Sequence, residues 1–414
     1  MRQPSSHHTC LSDDQVYLFF YVTIPREPMR VVILYNTSWY VFLLRRNLIA
    51  HLRDAGCEVI VVAPRDKYTE RLLSLGVRFI SIPLEPGSTS PLSELKTLRS
   101  VHRTLRALRP DAVLSFTIKC NLYAGLTKRL VPFKQVANIS GLGMAFEKNG
   151  VMRRVAHVLY KVAMAPADHI FFQNQDDLLS CLQHSLVPRN NSRTIPGSGV
   201  DLEAFVPTPR IAGRARTFLM FGRLLPKKGY DLYLQAAQRL RTSLGDNVAF
   251  WILGAPDHER EESRALYQRI MNAHGDGVVR YLQSSDDVRP VLNEADVVVL
   301  PSTYNEGIPR SLLEALASGK AIVTTDWKGC RETVEHGTNG YLVPPHDPES
   351  LYAAMRSLAT CSDATLDSFG KASRTRAEHH FDERLVLQAY LEALALPIPS
   401  KDIPCDMRPT GTHA

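Results

Sequence analysis

Residues 30–64, RVVILYNTSWYVFLLRRNLIAHLRDAGCEVIVVAP, read in succession as strand, helix and strand. Val31-Val32-Ile33-Leu34 is a short apolar run of the kind that a sheet buries on both faces. Leu43 to Ala55 has helical periodicity, Gly56 ends it, and Val59-Ile60-Val61-Val62 is a second buried run. Parallel strands need a crossover of this length, so the stretch predicts a βαβ unit. The alternation continues through Arg78 to Ile82, a helix across 92–108, Ala112-Val113-Leu114, a helix near 121–130 and Gln135-Val136-Ala137. Helical patterning over 150–165 and the run His169-Ile170-Phe171-Phe172 close this set. After Val206-Pro207-Thr208-Pro209 the pattern restarts: strand Thr217 to Phe221, helix Tyr230 to Arg241, strand Ala249 to Leu253. Val278 to Leu282, Val297 to Leu300, Ala321 to Thr324 and Gly340 to Val343 supply further strands. The expectation is two α/β domains, 29–205 and 206–380, each with a parallel sheet covered on both faces. A helix over 381–396 is expected to cross back to the first domain, with a poorly ordered extension at 1–28 and a loose tail at 397–414.

At 414 residues the chain suits two domains, and 44% hydrophobic with 22% charged residues is ordinary for a globular protein. No run approaches the roughly 18 apolar residues that cross a bilayer. The apolar stretch Val16 to Ile24 follows Asp13 and Asp14 instead of basic residues, which argues against a secretory signal. Seven cysteines, odd in number and without Cys-x-x-Cys spacing, indicate reduced thiols in a cytoplasmic protein. The net charge of +7 is uneven: residues 30–205 carry 23 Lys/Arg against 13 Asp/Glu, a net of +10.

The chemistry is concentrated in the second half. Val297 to Leu300 runs into a loop and then into Glu306-Gly-Ile-Pro-Arg-Ser-Leu-Leu-Glu314, where a helix is expected to begin at Pro309. Gly307 lets backbone approach a ligand, and the N–H groups around Ile308, Arg310 and Ser311 make an anion site. Glu306 stands just before that site and Glu314 about one turn inside the helix. A second element, Phe221-Gly-Arg-Leu-Leu-Pro-Lys-Lys-Gly229, follows the first strand of the second domain, at the edge where open α/β sheets bind ligands. Arg223 and Lys228 would place two cations beside a departing diphosphate. No two aspartates stand two apart, so the Asp-x-Asp metal device is missing and metal independence is expected.

Together, Gly222-Arg223-Leu224 with Lys227-Lys228-Gly229 and the pair Glu306 and Glu314 resemble glycosyltransferase family 4, of the GT-B fold with two Rossmann-like α/β domains facing across a cleft. Asn36-Thr-Ser-Trp39, Phe116-Thr-Ile-Lys119 with Asn121, Asn138-Ile-Ser-Gly-Leu-Gly143 and Ile195 to Asp201 are similar to the bacterial branch that extends undecaprenyl-diphosphate-linked sugars. The resemblance covers roughly residues 30–395. It implies a retaining transfer of a hexose or N-acetylhexosamine from a UDP-sugar to a lipid-linked sugar, in O-antigen, capsule or glycoprotein glycan assembly. By the same resemblance Arg223 and Lys228 hold the donor diphosphate and Glu306 contacts the transferred sugar. Glu314 takes the ribose, and Gly222, Gly307, Ile308, Pro309, Arg310, Ser311 and Leu312 complete the donor site. No cofactor is implied, since the nucleotide sugar is a substrate.

The acceptor side of the cleft is assigned to Asn36, Thr37, Ser38, Lys119, Asn121, Ser140 and Gly141. There the chain departs from the family: Asn36-Thr37-Ser38 replaces a Gly-Gly turn, Ser140-Gly141 a His-Gly pair, and Cys120 stands at a proline position. Plainer readings exist, namely a solvated loop for the cations, dipole-favoured acids for the glutamates, turn chemistry and core filling for Asn36, Thr37 and Trp39, and a plain glycine loop for Ser140 to Gly143. Lys96, Arg99, Arg103, Arg106 and Arg109 share one helix face, and Arg153, Arg154, His157 and Lys161 another. Two basic stripes in the acceptor half point to peripheral attachment at the anionic inner face of the cytoplasmic membrane. No nucleic-acid motif is present, so nucleic acid is not expected as a partner. Two alternatives keep the same donor half: a GT-B epimerase that rearranges a nucleotide sugar without an acceptor, and a non-catalytic sugar-nucleotide-binding protein.

Overall fold

The computed structural model describes residues 27–85, 87, 90–142, 151–211 and 213–398. Apart from residues 27–28 and 397–398, the expected N-terminal extension and C-terminal tail lie outside these, as does Gly143.

The first half alternates β1 (Arg30–Leu34), α1 (Ser38–Asp54), β2 (Glu58–Ala63), α2 (Thr69–Leu73), β3 (Arg78–Ser81), α3 (Pro91–Leu108) and β4 (Ala112–Phe116). It continues with α4 (Ile118–Lys128), β5 (Lys134–Ile139), α5 (Val151–Met164), β6 (His169–Phe172), α6 (Gln175–Gln183) and β7 (Ser192–Thr194). The strands form one parallel sheet in the order β3-β2-β1-β4-β5-β6-β7. Its central strands are buried from Val31 to Leu34 and from Ala112 to Phe116, which is why they read as apolar runs. Helices on both faces bury the two sets of side chains separately: Val31 and Ile33 face one cluster, Val32 and Leu34 another.

The second half repeats the scheme with β8 (Arg216–Phe221), α7 (Tyr230–Leu244), β9 (Val248–Gly254), α8 (Glu261–Gly275), β10 (Arg280–Gln283), α9 (Arg289–Glu294) and β11 (Val297–Leu300). Then come α10 (Arg310–Ala317), β12 (Ala321–Thr325), β13 (Gly340–Val343), α11 (Pro348–Thr360) and α12 (Asp363–His380). The sheet order is β10-β9-β8-β11-β12-β13, again parallel. In both sheets the order reverses beside the first strand, between β1 and β4 in one and between β8 and β11 in the other.

The chain crosses between the halves twice, and the crossings lie side by side. Val200 N–H donates to Phe381 C=O at 2.8 Å and Glu383 N–H to Val200 C=O at 3.1 Å. The last helix, α13 (Glu383–Leu394), then packs Val386, Leu387 and Tyr390 into the core of the first half beside α1. A further link closes the far side: Tyr68 and Arg71, on and beside α2, both reach Asp286 before α9, the Arg71 ion pair at 2.8 Å.

Candidate active site

The donor-side elements meet at the carboxyl ends of β8 and β11. Gly222 follows β8 with φ of +141°, a conformation glycine adopts freely, and its carbonyl accepts from Tyr230 Oη at 3.1 Å. Arg223 extends over the ring of Tyr304, 5.8 Å to the centroid, with Tyr40 of the first half close enough to act on its charge. Lys228 ends a single 3₁₀ turn, Pro226–Lys228, and is only 7% exposed. Its ammonium is paired with the Glu306 carboxylate, 78 residues away in sequence. Arg223, Lys228, Tyr304 and Glu306 therefore form one cluster in the cleft.

The start of α10 differs from the sequence expectation in three respects. The helix begins at Arg310, with Pro309 as its cap, because Pro309 adopts an extended ψ of 125°. Gly307 N–H is not available to a phosphate: it donates to Ser140 C=O of the other domain at 2.9 Å. Leu312 N–H turns back on Pro309 C=O at 3.0 Å, and the Leu312 side chain is fully buried, so Leu312 builds the core. The amides of Ile308, Arg310 and Ser311 have no acceptor among the described residues and point out of the first turn, where an anion is favoured. Glu314 lies one turn on, accepting from Arg310 Nε at 2.8 Å; burial pushes its carboxyl above the usual range against the pull of that guanidinium. Arg310 also donates to Gly199 C=O at 2.7 Å, which ties α10 to the first domain crossing.

The acceptor-side residues separate into two groups. Ser140 and Gly141 meet the donor loop directly: a Cβ at Gly141, where φ is +112°, would stand 2.8 Å from Glu306 Cα. Asn36 is partly exposed at the end of β1, its Oδ1 without a partner among the described residues. The others are spent on the fold. Thr37 caps α1 by accepting from Tyr40 N–H, and Ser38 is buried with its hydroxyl on Pro64 C=O at 2.7 Å. Lys119 is bound to Glu94 at 2.7 Å and to Glu85 C=O, so it braces α4 against α3. Asn121 is fully buried and donates to Asn138 C=O, a core position and not a cleft wall.

Residues the motifs did not mark complete the site. Gln173 leaves no room for a side chain at 307, since a Cβ there would lie 2.2 Å from Gln173 Oε1, and Asn174 donates to Glu306 C=O at 3.3 Å. Tyr304 precedes Glu306 by two positions, and its aromaticity is the one local signal available for it. Among the described residues no cluster of His, Cys, Asp and Glu could hold a metal ion, and no helix is long and apolar enough to cross a membrane.

Two cations, two carboxylates and helix amides without an acceptor among the described residues thus meet at the carboxyl edges of parallel strands, an arrangement that suits an anionic ligand. Residues 215–361 match the family described as glycosyl transferases group 1, and residues 45–197 the glycosyl transferase 4-like domain. A protein of Escherichia coli K12 assigned to colanic acid biosynthesis as a glycosyltransferase, WcaL, is 30% identical over 84% of this chain and 95% of its own length. The chain belongs to the group 1 glycosyltransferases. This glycosyltransferase is also 27% identical, over 88% of its length and 98% of the relative's, to the N,N'-diacetylbacillosaminyl-diphospho-undecaprenol alpha-1,3-N-acetylgalactosaminyltransferase of Campylobacter jejuni. Among solved structures, Anabaena Alr3699/HepE in complex with UDP and glucose superposes with a TM-score of 0.73 at 19% identity, covering 89% of this chain and 99% of that one. The fold is thus that of the GT-B glycosyltransferases.

Proposed function

We propose that this glycosyltransferase moves a hexose or N-acetylhexosamine from a UDP-sugar to an undecaprenyl-diphosphate-linked sugar, with retention at the anomeric carbon and without a metal ion. The observation that carries the donor half is the Lys228–Glu306 pair beside Arg223 and the unpaired amides of α10. Two cations and a helix start supply the charge neutralisation that a leaving diphosphate requires. The bond from the anomeric carbon to the diphosphate oxygen breaks, and the acceptor hydroxyl oxygen bonds to that carbon from the same face. Its proton passes to the departing phosphate oxygen, so no separate base is needed. Glu314 accepts from the ribose hydroxyls once Arg310 releases it, and Glu306 faces the sugar. The Campylobacter relative, named for a diphospho-undecaprenol acceptor, supports the acceptor class.

The reaction would take place at the inner face of the cytoplasmic membrane, in surface-glycan assembly. On α5, Val155, Val158, Leu159 and Val162 are exposed at 39% to 61%, alongside exposed Arg154 and Lys161. Apolar and basic side chains mixed on one solvent face suit an anionic lipid surface. The deciding experiment incubates the protein with a panel of UDP-sugars, an undecaprenyl-diphosphate N-acetylhexosamine and EDTA. UDP release that depends on the lipid, with an extended lipid product, is the expected result. Conversion of a UDP-sugar without acceptor would replace the transferase reading with an epimerase.

A further inference from the structure

Arg45 lies on the buried face of α1, one turn after Val41 and one before Ile49, and is 3% exposed. A guanidinium removed from water is strongly disfavoured unless a carboxylate and hydrogen-bond acceptors replace its hydration. Arg45 has neither an ion pair nor a hydrogen bond among the described residues, and its Nε is orphaned. Its surroundings are aromatic: the guanidinium carbon lies 4.4 Å from the Phe116 centroid and 6.0 Å from that of Tyr390. Glu383 is near enough to feel the charge, but its carboxylate is held by the Asn47 amide. Cation–π contact offsets only part of what burying a lone charge costs. The pocket is short of one negative charge.

Its position says which charge. Phe116 is the last residue of β4 and Tyr35 the first after β1, stacked at 5.1 Å, so Arg45 sits at the carboxyl edge where the cleft opens. The next residues along those two strands, Asn36 and Thr117, are partly exposed there. Among the described residues Asn36 Oδ1 has no partner, and Thr117 Oγ1 faces only the Cys120 thiol. Thr117 also holds φ at +71°, a conformation that costs a β-branched residue energy and persists where the surroundings impose it. An amide and a hydroxyl, both able to donate, thus follow directly on Tyr35 and Phe116, the two aromatic residues near the guanidinium at this edge. The donor diphosphate is served from the opposite sheet by Arg223, Lys228 and α10, whereas this cluster belongs to the sheet that meets the acceptor.

We propose that Arg45, with Asn36 and Thr117 at its mouth, is an anion site in the acceptor half that binds a phosphate of the acceptor's diphosphate. The acceptor assignment rests on the function proposed above; the anion site does not. The full chain, with UDP saturating the donor site, is titrated calorimetrically with inorganic pyrophosphate. Wild type is expected to bind at a second site, and Arg45→Met to weaken that binding roughly 30-fold or more while leaving UDP affinity unchanged. Arg45→Met should keep or raise the melting temperature, because it removes an unpaired buried charge. A residue needed only for packing would lower it. Arg45→Lys, which keeps the charge but loses the fork, should fall between. With the lipid-linked acceptor, Arg45→Met should raise KM for the lipid by a similar factor with kcat little changed. Equal pyrophosphate binding by wild type and Arg45→Met, or none by wild type, would overturn the site, and so would pyrophosphate that simply competes with UDP. If wild type turns over no lipid, the transferase reading falls, while the pyrophosphate titration still decides Arg45.

Discussion

Glu306→Gln gives the sharpest test of the donor site, because the structure makes its two effects run in opposite directions. In the free protein the Glu306 carboxylate occupies the Lys228 ammonium. An arriving diphosphate must take over Lys228 from that carboxylate. A hydrogen bond between charged groups is worth about 1.5–3 kcal/mol net. Glu306 retains some solvent contact, with its side chain 22% exposed, so the lower part of that range applies. Neutral glutamine keeps the shape and removes the competition, so UDP should bind about tenfold tighter, on the order of 1.4 kcal/mol. Transfer should nevertheless drop by a factor of roughly 100 to 1,000, as when one preorganised electrostatic group is removed from a reacting centre. The assay pairs calorimetric UDP titration with initial rates on the same preparation. Lys228→Met should lose UDP affinity, and the double variant should bind like Lys228→Met alone, since the gain acts only through the freed ammonium. Weaker UDP binding by Glu306→Gln, or a gain that survives in the double variant, would refute the reasoning.

Three further outcomes follow from the geometry. Lys320 is 5% exposed with its Nζ on Asn293 C=O, and burial lowers its pKa from the ordinary 10.5 to about 8. Below pH 8 the folded and unfolded states are both protonated; between about 8 and 10.5 the folded state gives up the proton first. Stability measured by urea titration should therefore rise across that window, by a contribution on the order of 3 kcal/mol, and the rise should vanish in Lys320→Met. Asp286→Ala removes the contacts to Tyr68 and Arg71; the Arg71–Asp286 ion pair is half exposed, so less than about 1 kcal/mol of stability is at stake in it. The expected sign is a larger radius of gyration in small-angle scattering with the melting temperature nearly unchanged; an unaltered radius would mean the contact does not hold the cleft closed. Val158→Glu with Leu159→Glu on α5 should cut sedimentation with anionic vesicles at least tenfold, each exchange removing about 1–3 kcal/mol of apolar and electrostatic attraction, while UDP affinity stays the same.

The sequence by itself determined the alternation of strands and helices, because a strand buried on both faces is a continuous apolar run and that is a local property. Val31 to Leu34, Val59 to Val62 and Val297 to Leu300 needed no partner to be recognised. The elements of the proposed donor site were legible for the same reason: Gly222 to Lys228 and Glu306 to Glu314 are contiguous stretches whose spacing survives folding. What each residue is left free to do was decided only when the two sheets docked. Gly307 lost its amide to Ser140, Lys119 was claimed by Glu94, and Lys228 met a carboxylate 78 positions away. Asn121 has the same neighbours in sequence whether it faces a cleft or a core, and Arg45 gives no sign in the sequence that its charge goes unanswered. Backbone hydrogen bonding and side-chain periodicity repeat over a few residues and can be read along the chain. Pairing of charges and closure of a cleft depend on distances between segments that the spacing does not encode.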